Sequence, residues 1–95
     1  MSIGVDGRVR IGRDVHVREF DGELVILDLE KGDYFGVNEI GARLWHGLES
    51  GKSCCEIARE LVTSYETEPG RLLADLVALT DEFIAKGLVE PRTER

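Results

Sequence analysis

The sequence has only two cysteines, and they are adjacent, Cys54 and Cys55. Neighbouring cysteines rarely bridge each other because the closed ring is strained, so a disulfide framework is excluded and a reducing compartment is expected. His16 and His46 are the only histidines, and no zinc spacing can be assembled from these four residues. We therefore expect no metal and no cofactor, and we interpret the cysteines as small apolar side chains of a helix.

Long hydrophobic runs are also absent. No apolar stretch approaches the roughly 20 residues that cross a bilayer, and residues 1–6 lack the apolar core of a signal peptide. These absences predict a soluble, cytoplasmic protein with no membrane partner. The 95 residues, 42% of them hydrophobic, suffice for one modest core. We expect a single domain over residues 1–95, with its core at about 14–90.

Basic residues are outnumbered by acidic ones. Twelve Lys and Arg stand against nineteen Asp and Glu, which gives a net charge of −7. Such a charge repels phosphate backbones, so we expect no nucleic-acid partner. The acidic excess lies in residues 21–49, where seven acids stand against Lys31 and Arg43. This distribution favours a cationic partner.

The first half of the chain predicts a sheet. Residues 15–20 and 23–29 are rich in β-formers and flank Asp21-Gly22, a favoured pair for a type I′ hairpin turn. A further turn leads into a short strand at residues 34–37. Together these segments predict a three-stranded antiparallel meander.

The sequence also predicts a buried central strand and a small N-terminal hairpin. The central strand, residues 24–29, is apolar at nearly every position, which is typical of a strand buried on both faces. A small N-terminal hairpin is also predicted, with residues 3–5 and 8–11 flanking Asp6-Gly7.

The second half predicts three helices. Asn38 is a good N-cap for the first, and Ser53 with Glu56 forms a capping box for the second. Pro69 lies in the first turn of the third helix, which Gly87 ends. The apolar face of the second helix is predicted to comprise Cys54, Ile57, Ala58, Leu61, Val62 and Tyr65. The fold class is therefore α+β, with a winged helix-turn-helix-like order of elements.

The third helix has an unusually wide apolar arc. At 100° per residue its apolar side chains span about 160°, whereas an amphipathic surface helix needs about 100°. Asp75 and Asp81 lie at the two margins of the arc. Either a small domain wraps the helix on two sides, or one margin faces a groove for an apolar ligand. Residues 88–91 predict a last short strand after this helix.

No catalytic arrangement stands out. A cysteine nucleophile needs a nearby histidine, but His16 lies in a predicted strand and His46 on the first helix. We interpret His46 as an exposed imidazole without a role. The protein is therefore predicted not to be an enzyme.

The short strand at residues 34–37 is predicted to lie at the edge of the sheet. Exposed edges usually carry a protecting charge, and this segment has none. We interpret it as a site where an extended peptide adds to the sheet. One alternative is a winged-helix transcription regulator that binds DNA, although neither candidate helix has a basic face. Another is a structural subunit whose edge pairs with a second copy.

Several motifs resemble the PqqD-like family of peptide recognition elements. They are Leu27-Asp28, the run Gly-Asp-Tyr-Phe-Gly-Val-Asn-Glu at 32–39, Gly-Ala-Arg-Leu-Trp at 41–45, Asp75-Leu76, Phe83-Ile84 and Gly-Leu-Val at 87–89. The resemblance covers about residues 14–90. Within the family, the sequence is most similar to the stand-alone leader-recognition proteins of lasso peptide biosynthesis.

The resemblance implies a noncatalytic protein with a three-stranded sheet followed by three helices. It implies that the leader of a precursor peptide adds antiparallel to the third strand and packs against the third helix. The leader would then be presented to a separate leader peptidase, a cysteine protease that acts with a cyclase. The implied docking edge is Tyr34, Phe35, Gly36 and Val37, and the implied helix wall is Leu72, Asp75, Leu76, Leu79 and Thr80. Which pair of strand side chains faces the helices stays open.

Overall fold

The computed structural model describes residues 3–92. These residues form two small antiparallel sheets and three helices. In chain order the elements are β1 (Val9–Ile11), β2 (Val15–Phe20), β3 (Glu23–Asp28), β4 (Asp33–Val37), α1 (Glu39–Glu49), α2 (Cys54–Leu61), α3 (Pro69–Ala85) and β5 (Val89–Pro91).

The larger sheet has the order β2-β3-β4, so β3 is central. Asp21 and Gly22, between β2 and β3, both have positive φ, 50° and 83°. Two positive φ angles define a type I′ turn, and its twist matches that of the flanking strands. Phe20 and Glu23 lie directly opposite each other beside this turn. The predicted three-stranded meander is confirmed.

The predicted N-terminal hairpin is wrong. Residues 3–5 form no strand, and β1 pairs antiparallel with β5, with Ile11 opposite Val89. The Gly12 N–H extends this pairing by donating to the Leu88 carbonyl at 2.9 Å. The alternation in β1 signalled a strand correctly, but its partner is about eighty residues away and no short-range turn signal reveals it. The last short strand, predicted at residues 88–91, is confirmed as β5.

The prediction that the central strand is buried on both faces is also wrong. Leu24 and Ile26 are fully buried beneath the helices, whereas Val25 and Leu27, on the opposite face, are only half-buried. Leu29, just beyond the strand, is 60% exposed. The helices thus cover one face of the sheet only.

The helices begin where their capping residues predict. The Asn38 side chain accepts a hydrogen bond from the Gly41 N–H at 3.0 Å, and Ser53 with Glu56 forms the expected capping box. Helix α2 ends at Leu61, so Val62 and Tyr65 lie beyond the helix on which they were predicted. Both are nevertheless partly buried against the core.

Three aromatic rings connect β4 to α1 and α3 through the core. Phe83 of α3 makes edge-to-face contacts with Phe35 of β4 at 5.9 Å and with Trp45 of α1 at 5.3 Å between ring centroids. Gly41 allows α1 to approach β4, since a Cβ there would lie 2.7 Å from the Cβ of Val37. These contacts fix β4 against the helical layer.

The predicted α+β class, with a three-stranded antiparallel sheet and three helices, is confirmed. Within residues 3–92, no helix combines the length and the apolar character that crossing a membrane requires.

Candidate functional site

The hydrogen-bond alternation of the sheet identifies the backbone groups that face each edge. In a two-residue hairpin the residues beside the turn exchange both hydrogen bonds, and bonded and non-bonded pairs then alternate. From Glu23 onward, β3 therefore bonds to β2 through every second residue. The Leu29 N–H, which donates to the Asp14 carbonyl at 2.9 Å, continues this alternation. The intervening residues of β3 bond to β4.

On β4, the residues that bond to β3 are Asp33, Phe35 and Val37, which lie opposite Asp28, Ile26 and Leu24. The backbone N–H and C=O groups of Tyr34 and Gly36 consequently point away from β3. Strand β4 is an edge of the sheet, so these groups meet no further strand within residues 3–92. They offer two donors and two acceptors to an added strand.

Side chains alternate along β4 as well, and this settles which of them face the helices. Phe35 and Val37 are half-buried, and Phe35 contacts Phe83 of α3. Tyr34 and Gly36 lie on the opposite face, where the Tyr34 side chain is 78% exposed. The four predicted edge residues thus divide into two that anchor the strand and two that remain accessible.

The structure divides the predicted helix wall in a similar way. Leu72, Leu76 and Thr80 are buried, Leu79 is half-buried and Asp75 is exposed. The Thr80 hydroxyl is used inside the core, where it donates to the Leu76 carbonyl at 2.8 Å and lies 3.3 Å from Cys54 Sγ. Of these five residues, Leu79 and Asp75 present accessible side-chain surface.

One margin of the wide apolar arc of α3 is already occupied. The Asp81 carboxylate accepts a hydrogen bond from the Ile3 N–H at 2.7 Å, so the N-terminal segment lies over that margin. Leu79 lies on the β4 side, close to the point where Gly41 approaches Val37. The open margin of the helix is therefore the one that carries Asp75 and Leu79.

Sequence reasoning missed Lys86. Its Nζ lies 5.1 Å from the centroid of the Phe35 ring, a cation–π arrangement, and Lys31 donates from its Nζ to the Lys86 carbonyl at 3.2 Å. A cavity of about 400 Å³ lies here, at the Tyr34 end of β4. Lys86 follows Leu79 by seven residues, or two helical turns, so helical spacing places both on one face.

The buried cysteine is poorly suited to act as a nucleophile. Burial raises the pKa of the Cys54 thiol, which disfavours the thiolate that a nucleophile requires. His46 is exposed, as predicted, and its ring nitrogens lie 3.1 Å from Glu49 and 3.2 Å from Glu19. Among residues 3–92, no group of three or more His, Cys, Asp or Glu side chains could hold a metal ion.

The helices do not present a surface suited to DNA. On α2, Glu56 pairs with Arg8 at 2.7 Å and Glu60 pairs with Lys52 at 2.6 Å. Arg59 is the only basic residue within the helix. Acidic side chains on the helix that would enter a groove repel the phosphate backbone, so the winged-helix DNA-binding alternative is not favoured.

Comparison with known families agrees with this geometry. A sequence model of the family described as coenzyme PQQ synthesis protein D (PqqD) matches residues 23–89. The chain belongs to the PqqD family. The match runs from the start of β3 to the start of β5, and thus includes both the β4 edge and α3. The family predicted from the short motifs is confirmed.

Two solved structures are similar to this PqqD-family chain. One is TbiB1 in complex with the TbiA(β) leader peptide, with 30% identity and a TM-score of 0.80 over 90% of this chain and 99% of that one. Another is lasso peptide synthetase B1 complexed with the leader peptide, with 27% identity and a TM-score of 0.81 over 88% and 99%. A search of curated protein sequences found no match.

Proposed function

We propose that this protein binds the leader segment of a ribosomally made precursor peptide as an additional strand on β4. The observation that carries the proposal is the open β4 edge, at which Tyr34 and Gly36 present paired backbone donors and acceptors. Main-chain hydrogen bonds supply the pairing in this mode of recognition, and pockets beside the strand supply specificity. The two similar structures, both of leader-peptide complexes, support the same assignment.

The surroundings of the edge indicate which peptides fit. Side chains of an added strand that lie opposite Phe35 and Val37 point towards α3, where Leu79 offers apolar surface. Asp33 begins β4 and Glu39 follows it, so acidic groups flank the edge at both ends. At the Tyr34 end, Lys31 and Lys86 offset the acidic charge. A leader with apolar residues at alternate positions and a basic residue at the Glu39 end is complementary to this surface.

The protein acts without catalysis and without a cofactor in this proposal. The leader runs antiparallel to β4, and the protein presents it to a separate leader peptidase, a cysteine protease that acts with a cyclase in lasso peptide biosynthesis. The solvent-facing side of the added strand remains free for that enzyme.

Two substitutions test the binding site. Tyr34→Ala and Asp75→Ala alter exposed side chains, so both variants are expected to stay folded. We expect Tyr34→Ala to weaken leader binding about tenfold, which corresponds to about 1.4 kcal/mol, and Asp75→Ala to weaken it several-fold. Fluorescence polarisation with a labelled leader measures both affinities.

Phe20→Ala is the matched control. Phe20 is also an exposed aromatic residue of the same sheet, 61% exposed, but it lies on β2, at the other edge. We expect its replacement to leave leader affinity unchanged. Unaltered affinity in both Tyr34→Ala and Asp75→Ala would refute the site assignment. Light scattering that shows dimers in free protein would instead favour pairing of the β4 edges of two copies.

A further inference from the structure

The outer face of the large sheet is the face that points away from the helices. Its side chains are more apolar than those of an ordinary exposed sheet face. Leu24 and Ile26 of β3 point towards the helices, so the residues that alternate with them along β3 point outwards. The residues of β2 and β4 that lie directly opposite these outward residues point outwards as well. This outer face comprises His16, Arg18, Phe20, Glu23, Val25, Leu27, Tyr34 and Gly36.

The centre of the outer face is apolar. An antiparallel sheet with one solvated face normally alternates apolar and polar residues along its central strand. Within β3, the two outward-pointing residues Val25 and Leu27 are both aliphatic, and Leu27 lies directly opposite Tyr34. Phe20 and Leu29 add further exposed apolar surface. Contiguous apolar surface of this kind marks interaction sites in natural proteins.

The sequence of β3 predicts burial on both faces, and a partner molecule on the outer face would explain this pattern. Within residues 3–92 the helices cover only the inner face, so Val25 and Leu27, which are half-buried, would lose their remaining exposure only against a second molecule. Burying such side chains contributes about 25 cal/mol per Å² of apolar surface, which rewards association. The pattern of β3 is that of a strand buried in an assembly.

A bound leader would extend this same face. If the leader pairs with β4, its residues opposite Tyr34 and Gly36 point to the outer face, in the same cross-strand rows as Leu27 and Val25 but with β4 between them. Gly36 has no side chain, and a Cβ there would meet nothing within 4 Å. No side chain of β4 therefore stands between Val25 and the leader residue opposite Gly36. A molecule that covers the outer face contacts the sheet and the leader at once.

We propose that the outer face is the docking surface for the leader peptidase, an inference that rests on the proposed function. The peptidase would contribute an apolar patch bordered by carboxylates. Arg18 indicates this border, because the hydrogen bond that its guanidinium makes among residues 3–92 goes to the Val17 carbonyl at 3.5 Å and no carboxylate of those residues pairs with it. A second copy of this chain is a poorer occupant, since two chains of net charge −7 repel each other.

Val25→Thr and Arg18→Glu test this inference. Threonine keeps the branched shape of valine in the strand while removing apolar surface, and the Arg18 substitution reverses a rim charge. Val5→Thr is the matched control, because Val5 is 42% exposed and its carbonyl accepts from the Cys55 N–H, on the α2 side of the molecule.

The experiment measures two affinities for each full-length variant. Leader binding is measured by fluorescence polarisation, and binding of the leader-loaded protein to the recombinant leader peptidase by biolayer interferometry. We expect Val25→Thr and Arg18→Glu to retain leader affinity within about twofold and to lose about tenfold in peptidase affinity, while Val5→Thr changes neither.

Peptidase affinities equal to that of Val5→Thr in both variants would overturn the inference. So would a concentration-dependent dimer in light scattering that Val25→Thr dissociates, because the face would then belong to a second copy. Failure of the wild-type protein to bind leader would reject the proposed function itself. Normal leader binding without a change in peptidase affinity would reject the docking surface alone.

Discussion

Gly41 shows how one residue positions the candidate site. It lies inside α1, where a glycine normally costs about 0.5–1 kcal/mol relative to alanine. A Cβ at residue 41 would lie 2.7 Å from the Val37 Cβ, which is bonded directly to the backbone and cannot move away without moving β4. The glycine thus permits the close approach between α1 and β4.

We predict that Gly41→Ala destabilises the protein by about 1–3 kcal/mol, the usual cost of overpacking a core. Gly70→Ala is the control, since Gly70 also lies in a helix but a Cβ there meets nothing within 4 Å. That variant is expected to be as stable as the wild type or up to about 1 kcal/mol more stable. Urea denaturation compares the two, and equal stability would contradict the role assigned to Gly41.

His46 links α1 to the end of β2. Partial burial lowers the pKa of His46, but hydrogen bonds to Glu49 and Glu19 outweigh this effect and hold the pKa above its ordinary value of 6.5. A raised folded-state pKa means that the protonated form stabilises the fold. This contribution is fully present below the unfolded-state pKa and is lost as the pH rises through the folded-state pKa.

We predict that Glu19→Gln lowers the pKa of His46, because it removes a carboxylate that pairs with the imidazolium. The wild type should also lose a small amount of stability, less than about 1 kcal/mol, as the pH rises through the folded-state pKa, since the pair is exposed to solvent. An NMR titration of the imidazole protons measures the shift. The same pKa in wild type and variant would show that the contact with Glu19 is not maintained in solution.

At the scale of elements, β4 combines an anchored face with an open edge. Phe35 and Val37 attach the strand to the helices, while the Tyr34 and Gly36 backbone groups point outwards. Proline is tolerated at an edge position whose N–H faces solvent, because no bond within the sheet is lost. Gly36 is such a position, so a proline there removes an outward N–H without breaking a hydrogen bond to β3.

We predict that Gly36→Pro abolishes leader binding, or weakens it at least about tenfold, because it removes one outward donor and places a ring against the added strand. Gly36→Ala keeps the donor and meets no atom within 4 Å, so it should bind the leader as the wild type does. Circular dichroism confirms that both variants are folded. Equal leader affinities of the two would argue against pairing at this edge.

The sequence predicts local elements well and distant pairings poorly. The Asp21-Gly22 turn and the capping box at Ser53 are encoded within a few residues, and both are found as predicted. The β1–β5 pairing joins the two ends of the chain, so no local signal identifies it. The edge position of β4 was predictable from the order of the strands, whereas the peptide-binding edge and helix wall are implied by the family resemblance and stay a prediction. The orientation of Phe35 was not predictable, because alternation alone leaves both faces equivalent until Phe83 is placed beside one of them.

At the scale of the whole molecule, the large sheet has two edges of different character. Strand β2 carries His16, Arg18 and Glu19, which discourage nonspecific pairing, whereas residues 34–37 of β4 include no Asp, Glu, Lys, Arg or His. The structure adds Asp33 to the predicted strand, at its beginning. This asymmetry supports the proposal that an incoming strand pairs with β4 rather than with β2.

Amide hydrogen exchange, followed by NMR with and without leader, tests strand addition at β4 most directly. In free protein the Tyr34 and Gly36 amides face solvent and should exchange rapidly, whereas Phe35 and Val37, bonded to β3, should be protected. Leader addition should protect Tyr34 and Gly36 and leave the outward amides of β2, at Val17 and Glu19, unchanged. Saturating leader that left Tyr34 and Gly36 exchanging as in free protein, or that protected the β2 amides instead, would contradict strand addition at β4.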